Sequence, residues 1–335
     1  MKYIRHTSKP RIHILAYGGT IACNTFKDSG EFYDSPIVDI HDLLSKIKSI
    51  DKIADVTCEQ VSQVISHDMT ITDLCDLAKK VESIISDPDI DGVVITQGTN
   101  TIEETSYFLN LVINTVKPIV FTGSMLPVNA LGYDGLRNLY NSILIASSMK
   151  EMNPGIVLSF GDVITSARDT TKQNPSAING LSLSAQSILG CVQGDMVNIN
   201  KIPMYKHTHN SEFHINKIET LPKVYVIYGH LGNDSLFVEA AVANGASGII
   251  SAGMGRGYQS KEITKALIEA SKRGLMIVRC SRTGNGFVSR DVKLDDQYGF
   301  IAGGSLSPLK ARILLSVILC TTSDKLKTQE YFYEY

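Results

Sequence analysis

One pattern along the first half of the chain constrains the fold more than any other feature. Short apolar runs at residues 12–17, 92–96 and 118–121 each end in a cluster of glycines and small polar residues. Segments with the apolar spacing of helices lie between these runs. Strands that alternate with helices in this way predict an α/β fold, in which helices flank both faces of a mostly parallel sheet.

The length of the chain predicts two domains, because a single core rarely grows beyond roughly 250 to 300 residues and this chain has 335. The apolar periodicity stops at residues 200–222, which we predict to be a linker. It would join a larger N-terminal domain, residues 1–199, to a smaller, Rossmann-like α/β domain, residues 223–335. The strands predicted in the second domain are 224–228, 248–251 and 275–279, and the helices are 236–243, 261–272 and 308–319.

Neither a metal nor a cofactor is predicted. His207, His209 and His214 crowd together in the linker, but no cysteine or carboxylate cluster completes a coordination shell. The glycines of residues 253–257 differ in spacing from a dinucleotide fingerprint, so we interpret this run as a tight loop at a strand exit. No GxxxxGK[ST] motif for phosphate binding occurs in the sequence.

Charge and composition bear on partners and location. The chain is 43% apolar and 20% charged, with a formal net charge of −2, which argues against nucleic acid or a membrane surface as the main partner. The first ten residues are polar, no apolar run reaches 18 residues, and the cysteines show no CxxC spacing. We therefore expect a cytoplasmic protein without a signal peptide and with reduced thiols.

Thr20 is the first candidate for catalysis. It follows Gly18 and Gly19 at the end of the first predicted strand, where a backbone without Cβ atoms can approach a ligand. A hydroxyl at the carboxyl end of a strand suits a nucleophile. A plainer interpretation stays open at this point, namely a turn whose threonine caps the following backbone. Tyr33 lies in a polar stretch, residues 23–36, which we interpret as a loop that can close over a site.

Further polar clusters follow other predicted strands. They contain Ser66 and His67, Thr99 and Asn100, and a later segment with Lys172. Glu103 and Glu104 lie where a helix begins, and their ordinary interpretation is stabilisation of the positive end of the helix dipole. Thr70 or Thr72 is expected to cap the helix that contains Leu74 and Val81.

These clusters, taken together with their sequence motifs, resemble the bacterial-type L-asparaginase family. The motifs GGTIA, TQGTNTIEET, TGSMLP, DGLRNLYN, GDVITSARDTTKQN and SPLKARILL occur in the family's order and cover nearly the whole chain. The resemblance implies a threonine nucleophile that attacks a small-molecule carboxamide, an acyl-enzyme intermediate and release of ammonia. It also implies a homotetramer of two-domain subunits with sites at subunit contacts.

A threonine hydroxyl needs activation at neutral pH. Two sources are open: the pair Thr99 and Lys172, with the lysine pKa lowered by desolvation, or Tyr33 opposite Thr20. Backbone N–H groups near Gly19 and Ser124 are candidates to stabilise the oxyanion. The catalytic candidates are therefore Thr20, Tyr33, Thr99 and Lys172.

Three positions depart from the family pattern. Asn100 replaces an aspartate, His67 replaces a glutamine, and Lys293 replaces an acidic residue that reaches a neighbouring subunit's site in relatives. In relatives these positions hold the α-ammonium of the substrate, whereas Ser66, which would bind the α-carboxylate, is retained. The predicted substrate-binding residues are Ser66, His67, Asn100, Ser124 and Lys293.

The departures leave three alternatives. The chain is either an asparaginase, an amidase of the same fold for a substrate without a free α-ammonium, or a catalytically weak relative that binds a small molecule. Retention of the residues that would carry the chemistry argues against the third alternative.

Overall fold

The computed structural model describes residues 9–26, 37–150, 152–181 and 185–335. The chain divides into two units, one that ends at Ile215 and one that spans Asn216–Tyr335. This division falls inside the stretch 200–222 that the sequence predicts as a linker, where two short 3-10 turns occur, Thr208–Asn210 and Ile215–Lys217. The bounds of the linker itself stay a prediction.

A mixed sheet forms the centre of the N-terminal unit. Its strands are β1 (Arg11–Ala16), β2 (Asp55–Gln60), β3 (Gly92–Thr96), β4 (Ile119–Thr122), β5 (Val157–Phe160), β6 (Val163–Ser166), β7 (Ile188–Gln193) and β8 (Met196–Ile199). Among the described residues the strand order is β2-β1-β3-β4-β5-β6-β7-β8. The pairs from β2 to β5 are parallel, as the alternation of strands and helices predicts.

The far edge of this sheet is antiparallel, and this part was not predicted. Strands β5 to β8 pair in succession in antiparallel fashion. The hydroxyl groups of β6 explain the error. Thr165 and Ser166 are buried and bonded, Thr165 Oγ1 accepting from Thr170 at 2.8 Å and Ser166 Oγ donating to Asp169 at 2.9 Å. Satisfied hydroxyls make a strand resemble a loop in a hydropathy pattern.

Helices cover this sheet. They are α1 (Ile40–Ser45), α2 (Ile50–Ile53), α3 (Ile71–Ile85), α4 (Ile102–Val112) and α5 (Gly135–Ser148). Thr70 caps α3 as expected, in a capping box with Asp73. The helical spacing predicted at residues 40–50 is interrupted, because α1 ends at Ser45 and α2 begins at Ile50. Leu139 and Ile143 of α5 share one buried apolar cluster with strand residues Val94 and Val120.

The C-terminal unit contains a smaller parallel sheet, as predicted. Its strands are β9 (Val224–Tyr228), β10 (Gly248–Gly253), β11 (Met276–Ser281) and β12 (Ile301–Ala302), in the order β12-β11-β10-β9. Its helices are α6 (Leu236–Ala243), α7 (Lys261–Lys272), α8 (Pro308–Ile318) and α9 (Lys325–Glu334). Strand β12 and helix α9 were not predicted. Residues 253–257 form a tight exit loop after β10, closed by a bridge between Met254 and Tyr258.

A buried ion pair fixes one turn of the C-terminal unit. Arg279 of β11 donates two hydrogen bonds to Asp295, both at 2.7 Å, and the two side chains are 2% and 0% exposed. Arg279 also donates to the carbonyl of Ser289 at 2.9 Å. Asp295 lies in the π-helical turn Val292–Asp296, whose first N–H groups are capped by Asp291. The turn is thus anchored to the sheet by one bidentate contact.

Within the described ranges, no helix has the length and the apolar character needed to cross a membrane.

Candidate active site

The carboxyl ends of three parallel strands bring predicted site residues to one edge of the N-terminal sheet. Ala16 at the end of β1 pairs with Thr96 at the end of β3, and Thr96 pairs with Thr122 at the end of β4. The strands therefore end level. The segments that follow them, residues 18–20, 98–100 and 123–124, leave the sheet on the same side, where ligands bind in open α/β sheets.

Gly19 places Thr20 against the neighbouring strand end. Gly18 and Gly19 have φ angles of 79° and 84°, which glycine adopts without strain. A Cβ atom on Gly19 would lie 2.2 Å from the nitrogen of Gly98, so the two backbones are in direct contact. Thr20 begins the 3-10 turn Thr20–Ala22 and is 8% exposed. Gly19 is the N-cap of this turn, and the carbonyl of Thr20 accepts from the N–H of Cys23 at 3.0 Å.

Lys172 lies against the second threonine. Its Nζ atom donates to Thr99 Oγ1 and to Asn100 Oδ1, each at 2.8 Å. A bridge with Leu181 holds the Lys172 backbone, and the next two N–H groups donate to the carbonyl of Gly180. Two segments that lie 73 positions apart in the sequence therefore meet here.

Burial shifts the pKa of this lysine. Desolvation lowers the pKa of Lys172 from its ordinary value, and the negative charge of Glu103 opposes that shift. Thr99, which accepts a hydrogen bond from Lys172, is only 4% exposed. A lysine with a lowered pKa beside a buried hydroxyl is suited to accept the hydroxyl proton.

Ser66 is fixed beneath the same strand end. Its Oγ atom accepts from the N–H of Asn100 at 3.2 Å, and its carbonyl accepts from Thr101 Oγ1 at 2.9 Å. A Cβ atom on Gly98 would lie 2.5 Å from Ser66 Oγ, so Gly98 leaves room for this hydroxyl. Ser66 thus lies in the same cluster as Thr99 and Asn100.

His67 lies at the exposed border of the cluster. Its Nδ1 atom is 3.5 Å from Asn100 Nδ2, and its Nε2 atom is 3.9 Å from the carboxylate of Asp68. Asn100 therefore contacts Lys172 through its oxygen and His67 through its nitrogen. The two residues that depart from the family pattern in this unit are neighbours.

Ser124 is held by residues that the sequence argument did not single out. Its hydroxyl donates to the Leu126 carbonyl at 2.6 Å, and Asp134 accepts from the N–H groups of Met125 and Leu126 at 3.1 and 3.0 Å. Asn138 donates to the Gly123 carbonyl at 2.9 Å. The sequence signal for these residues was Asp134, which lies directly before α5 in the motif DGLRNLYN. We used that motif only for the resemblance. A role for Ser124 in binding substrate stays a prediction.

Tyr33 and Lys293 are the other two predicted residues to be located. Tyr33 lies outside the described residues. Lys293 belongs to the C-terminal unit, where it is exposed in the turn Val292–Asp296 and its N–H donates to Asp291 at 2.9 Å. A role for either residue stays a prediction.

Two histidines of the predicted linker, His207 and His209, contact each other. The rings of His207 and His209 meet edge to face, and His207 Nδ1 lies 2.9 Å from Thr208 Oγ1. Burial, together with His209, lowers the pKa of His207 to about 4. Within the described parts of the chain, no group of three or more His, Cys, Asp or Glu residues could hold a metal ion.

Two family models match the chain. The model described as "Asparaginase, N-terminal" matches residues 11–205, and the model described as "Glutaminase/Asparaginase C-terminal domain" matches residues 223–332. Together they cover both units of the structure.

Several relatives match over nearly the whole chain. L-asparaginase 2 of Bacillus subtilis (strain 168) is 38% identical, over 97% of this chain and 87% of the relative. L-asparaginase 2 of Escherichia coli (strain K12) is 36% identical, over 97% and 93% of the two chains. Glutaminase-asparaginase of Pseudomonas fluorescens biotype A is 37% identical, over 98% and 91%.

A solved structure has the same fold. The crystal structure of the probable cytoplasmic L-asparaginase from Campylobacter jejuni superposes with a TM-score of 0.94 at 36% identity, and covers 98% of this chain and 100% of that one. The family models, the relatives and this structure agree. The chain belongs to the asparaginase family, and is a hydrolase that acts on amide C–N bonds.

Proposed function

We propose that this protein is an asparaginase-type amidohydrolase with a threonine nucleophile. It hydrolyses a carboxamide, L-asparagine or a close analogue, to the carboxylate and ammonia. The observation that carries the proposal is the hydrogen bond of 2.8 Å from Lys172 Nζ to Thr99 Oγ1. This bond lies at the carboxyl ends of the parallel strands, where Gly19 places Thr20. Relatives named L-asparaginase and glutaminase-asparaginase support the substrate class.

The proposed reaction has two steps. The Thr20 oxygen bonds to the carboxamide carbon, the C–N bond breaks, and the nitrogen leaves as ammonia with the hydroxyl proton. Water then attacks the resulting ester, which releases the carboxylate and restores the Thr20 hydroxyl. The lowered pKa of Lys172 supports its role as the base. Lys172 accepts a proton either from the Thr99 hydroxyl itself or, through that hydroxyl, from water or from Thr20. Tyr33 is the other candidate for activating Thr20.

Backbone N–H groups are the proposed donors to the oxyanion. Gly19 follows β1 and Ser124 follows β4, the two strands that flank β3, and a fixed N–H at the carboxyl ends of these strands needs no rearrangement as charge develops. Ser66 is the proposed partner of the substrate carboxylate, supported by its burial beside Asn100.

The experiment that tests the proposal measures ammonia release by Thr20→Ala. Loss of the nucleophile removes the covalent route, so we expect turnover to fall by at least about 10²-fold. Thr25→Ala is the matched control, because Thr25 is as buried as Thr20, at 8% exposed, and lies on the same segment. If Thr20→Ala keeps turnover near that of the unaltered protein, the assignment of the nucleophile is wrong.

A second candidate function is hydrolysis of an amide without a free α-ammonium. The observation that favours it is the orientation of Asn100, whose side-chain oxygen already accepts from Lys172 at 2.8 Å. A substrate ammonium bound to the same oxygen would lie close to the Lys172 ammonium, and like charges repel. L-asparagine should be compared with carboxamides that retain the carboxylate but bear a hydroxyl, acyl-amino or second carboxylate in place of the amine. A clear preference for L-asparagine would rule out this candidate.

The third alternative, a relative that binds an amide without hydrolysing it, is tested on the same panel. Binding without ammonia release from any amide would support it. Retention of Thr20, Thr99 and Lys172 argues against it.

Assembly and location are part of the proposal. We propose a homotetramer with sites at subunit contacts, to which Lys293 contributes from the neighbouring subunit. Light scattering tests it, and a fully active monomer would contradict it. We also propose a cytoplasmic location, supported by the Campylobacter jejuni structure. A relative from Haemophilus influenzae is named as probably periplasmic, so fractionation of cells is the appropriate test.

A further inference from the structure

Glu103 is a buried carboxylate close to the candidate site. It is the second residue of α4 and is 5% exposed. Its Oε2 atom is buried and has no hydrogen-bond partner among the described residues. The adjacent Glu104 has the same side chain in the same helical turn but is only half-buried.

Helix capping does not account for this burial. An acidic residue in the first turn stabilises a helix from an exposed position, as the sequence analysis expects of both glutamates. Burying a carboxylate costs more free energy than its interaction with the helix dipole contributes, unless a positive charge compensates it. A Glu103 carboxylate that stays charged at this position therefore needs a compensating charge close to it.

Lys172 supplies the charge from a different segment. Its Nζ atom donates to Thr99 and Asn100, which lie immediately before α4, one turn from Glu103. A lysine ammonium has three N–H donors, so these two bonds leave its charge only partly compensated. Neither Thr99 nor the amide of Asn100 carries a negative charge.

The charged groups on the Lys172 segment and across Asn100 have partners of their own. On its own segment, Arg168 and Asp169 form an ion pair at 2.7 Å. Across Asn100, His67 is exposed and has Asp68 at 3.9 Å. Among the described residues, the charge that acts on Lys172 is that of Glu103.

We propose that Glu103 is a positioning residue that acts through Lys172, its buried negative charge holding the Lys172 ammonium between Thr99 and Asn100. This deepens the proposed function, which rests on Lys172 as the base. Glu103 does not contact the reacting atoms. It determines where the ammonium lies and how readily it gives up its proton.

The sign of the effect follows from electrostatics. The carboxylate of Glu103 favours the charged lysine and opposes desolvation, which favours the neutral lysine. Glu103→Gln removes the charge and keeps the shape of the side chain, so Lys172 should lose its proton at a lower pH. Glu104→Gln is the matched control, since it removes the same charge from the same helical turn.

The test measures the titration of Lys172 without turnover. Trace acetylation by acetic anhydride at a series of pH values, followed by peptide mass spectrometry, gives the midpoint at which Lys172 becomes reactive. The midpoint should fall by about half a unit or more in Glu103→Gln, and by less than about 0.2 units in Glu104→Gln and in Glu103→Asp, which keeps the charge. An unchanged or raised midpoint in Glu103→Gln, or an equal fall in either control, would overturn the proposal.

A second measurement covers the case in which Glu103→Gln alone does not fold. Lys172→Met should leave Glu103 buried without its counter-charge. Adding Glu103→Gln to Lys172→Met should therefore raise the urea midpoint of unfolding above that of Lys172→Met alone. No rise would contradict the pairing. Because neither measurement depends on ammonia release, failure of the proposed function and failure of this inference are distinguishable.

Discussion

Gly19 and Gly98 meet backbone to backbone, so closely that a Cβ atom on Gly19 would lie 2.2 Å from the Gly98 nitrogen. The first glycine precedes Thr20, and the second precedes Thr99. The approach of these two segments is therefore set by a contact that no side chain can enter. The φ angle of 84° at Gly19 reinforces the requirement for glycine.

We expect Gly19→Ala to destabilise the protein and abolish ammonia release. Gly194→Ala is the control, because Gly194 also has a positive φ, 61°, but no atom within 4 Å of an added Cβ. The control should lose about 1–2 kcal/mol from backbone conformation alone, and Gly19→Ala roughly 2 kcal/mol more from the backbone clash. Urea unfolding measures both changes, and equal losses would show that the contact with Gly98 is unimportant.

The pH dependence of activity should follow Lys172. Desolvation lowers its pKa below the ordinary 10.5, and the lysine accepts a proton only when neutral. The value of kcat/KM should therefore rise with pH through this lowered pKa. Lys172→Arg keeps a positive charge that does not dissociate, so we expect it to lose about 10²- to 10⁴-fold in turnover and the rising limb. An Arg variant with the same pH profile would exclude Lys172 as the base.

Substrate preference should depend on positions 67, 100 and 293. The triple change His67→Gln, Asn100→Asp and Lys293→Glu adds two carboxylates and removes one cation, which favours a substrate ammonium. We expect kcat/KM to rise for L-asparagine and to fall for an analogue with a hydroxyl in place of the amine. The ratio of the two values is the measurement. An unchanged ratio, or L-asparagine already the best amide for the unaltered protein, would favour the plain asparaginase.

The ion pair between Arg279 and Asp295 should dominate the stability of the turn that carries Lys293. Arg279→Met leaves a buried carboxylate without its partner, so we expect a loss of about 3–5 kcal/mol in unfolding free energy. Arg137→Met is the control, because Arg137 and Asp162 pair at 3.0 Å with side chains 50% and 60% exposed; it should lose less than about 1 kcal/mol. Denaturant unfolding distinguishes the two, and comparable losses would contradict the importance of burial.

Local sequence rules predicted the elements that present a regular pattern. The predicted strand 224–228 and the predicted helices 236–243 and 261–272 coincide with β9, α6 and α7. The Thr70 hydroxyl accepts from the N–H of Asp73, and the Asp73 carboxylate accepts from the N–H of Thr70. Thr70 therefore caps α3 through contacts that span only three residues. Short-range information is sufficient for such features.

Elements that depend on distant partners were missed. Strand β6 contains buried hydroxyls that bond to Thr170 and Asp169, and β12 is two residues long and exists because β11 lies beside it. In the site, the contact of Lys172 with Thr99 came from the resemblance, since the two residues are 73 positions apart. The role of Asp134 in holding the loop at Met125 is visible only once the chain is folded.

The turn Val292–Asp296 has a consequence for how this protein can change. Arg279 in the sheet donates to Asp295, and Asp291 caps the start of the turn by accepting from the backbone N–H of Lys293. The shape of the turn thus depends little on which side chain stands at 293. Single codon changes can place a cation, an anion or an amide at position 293, and the chain still folds. This position can therefore diverge between lineages through intermediates that all reach the native state.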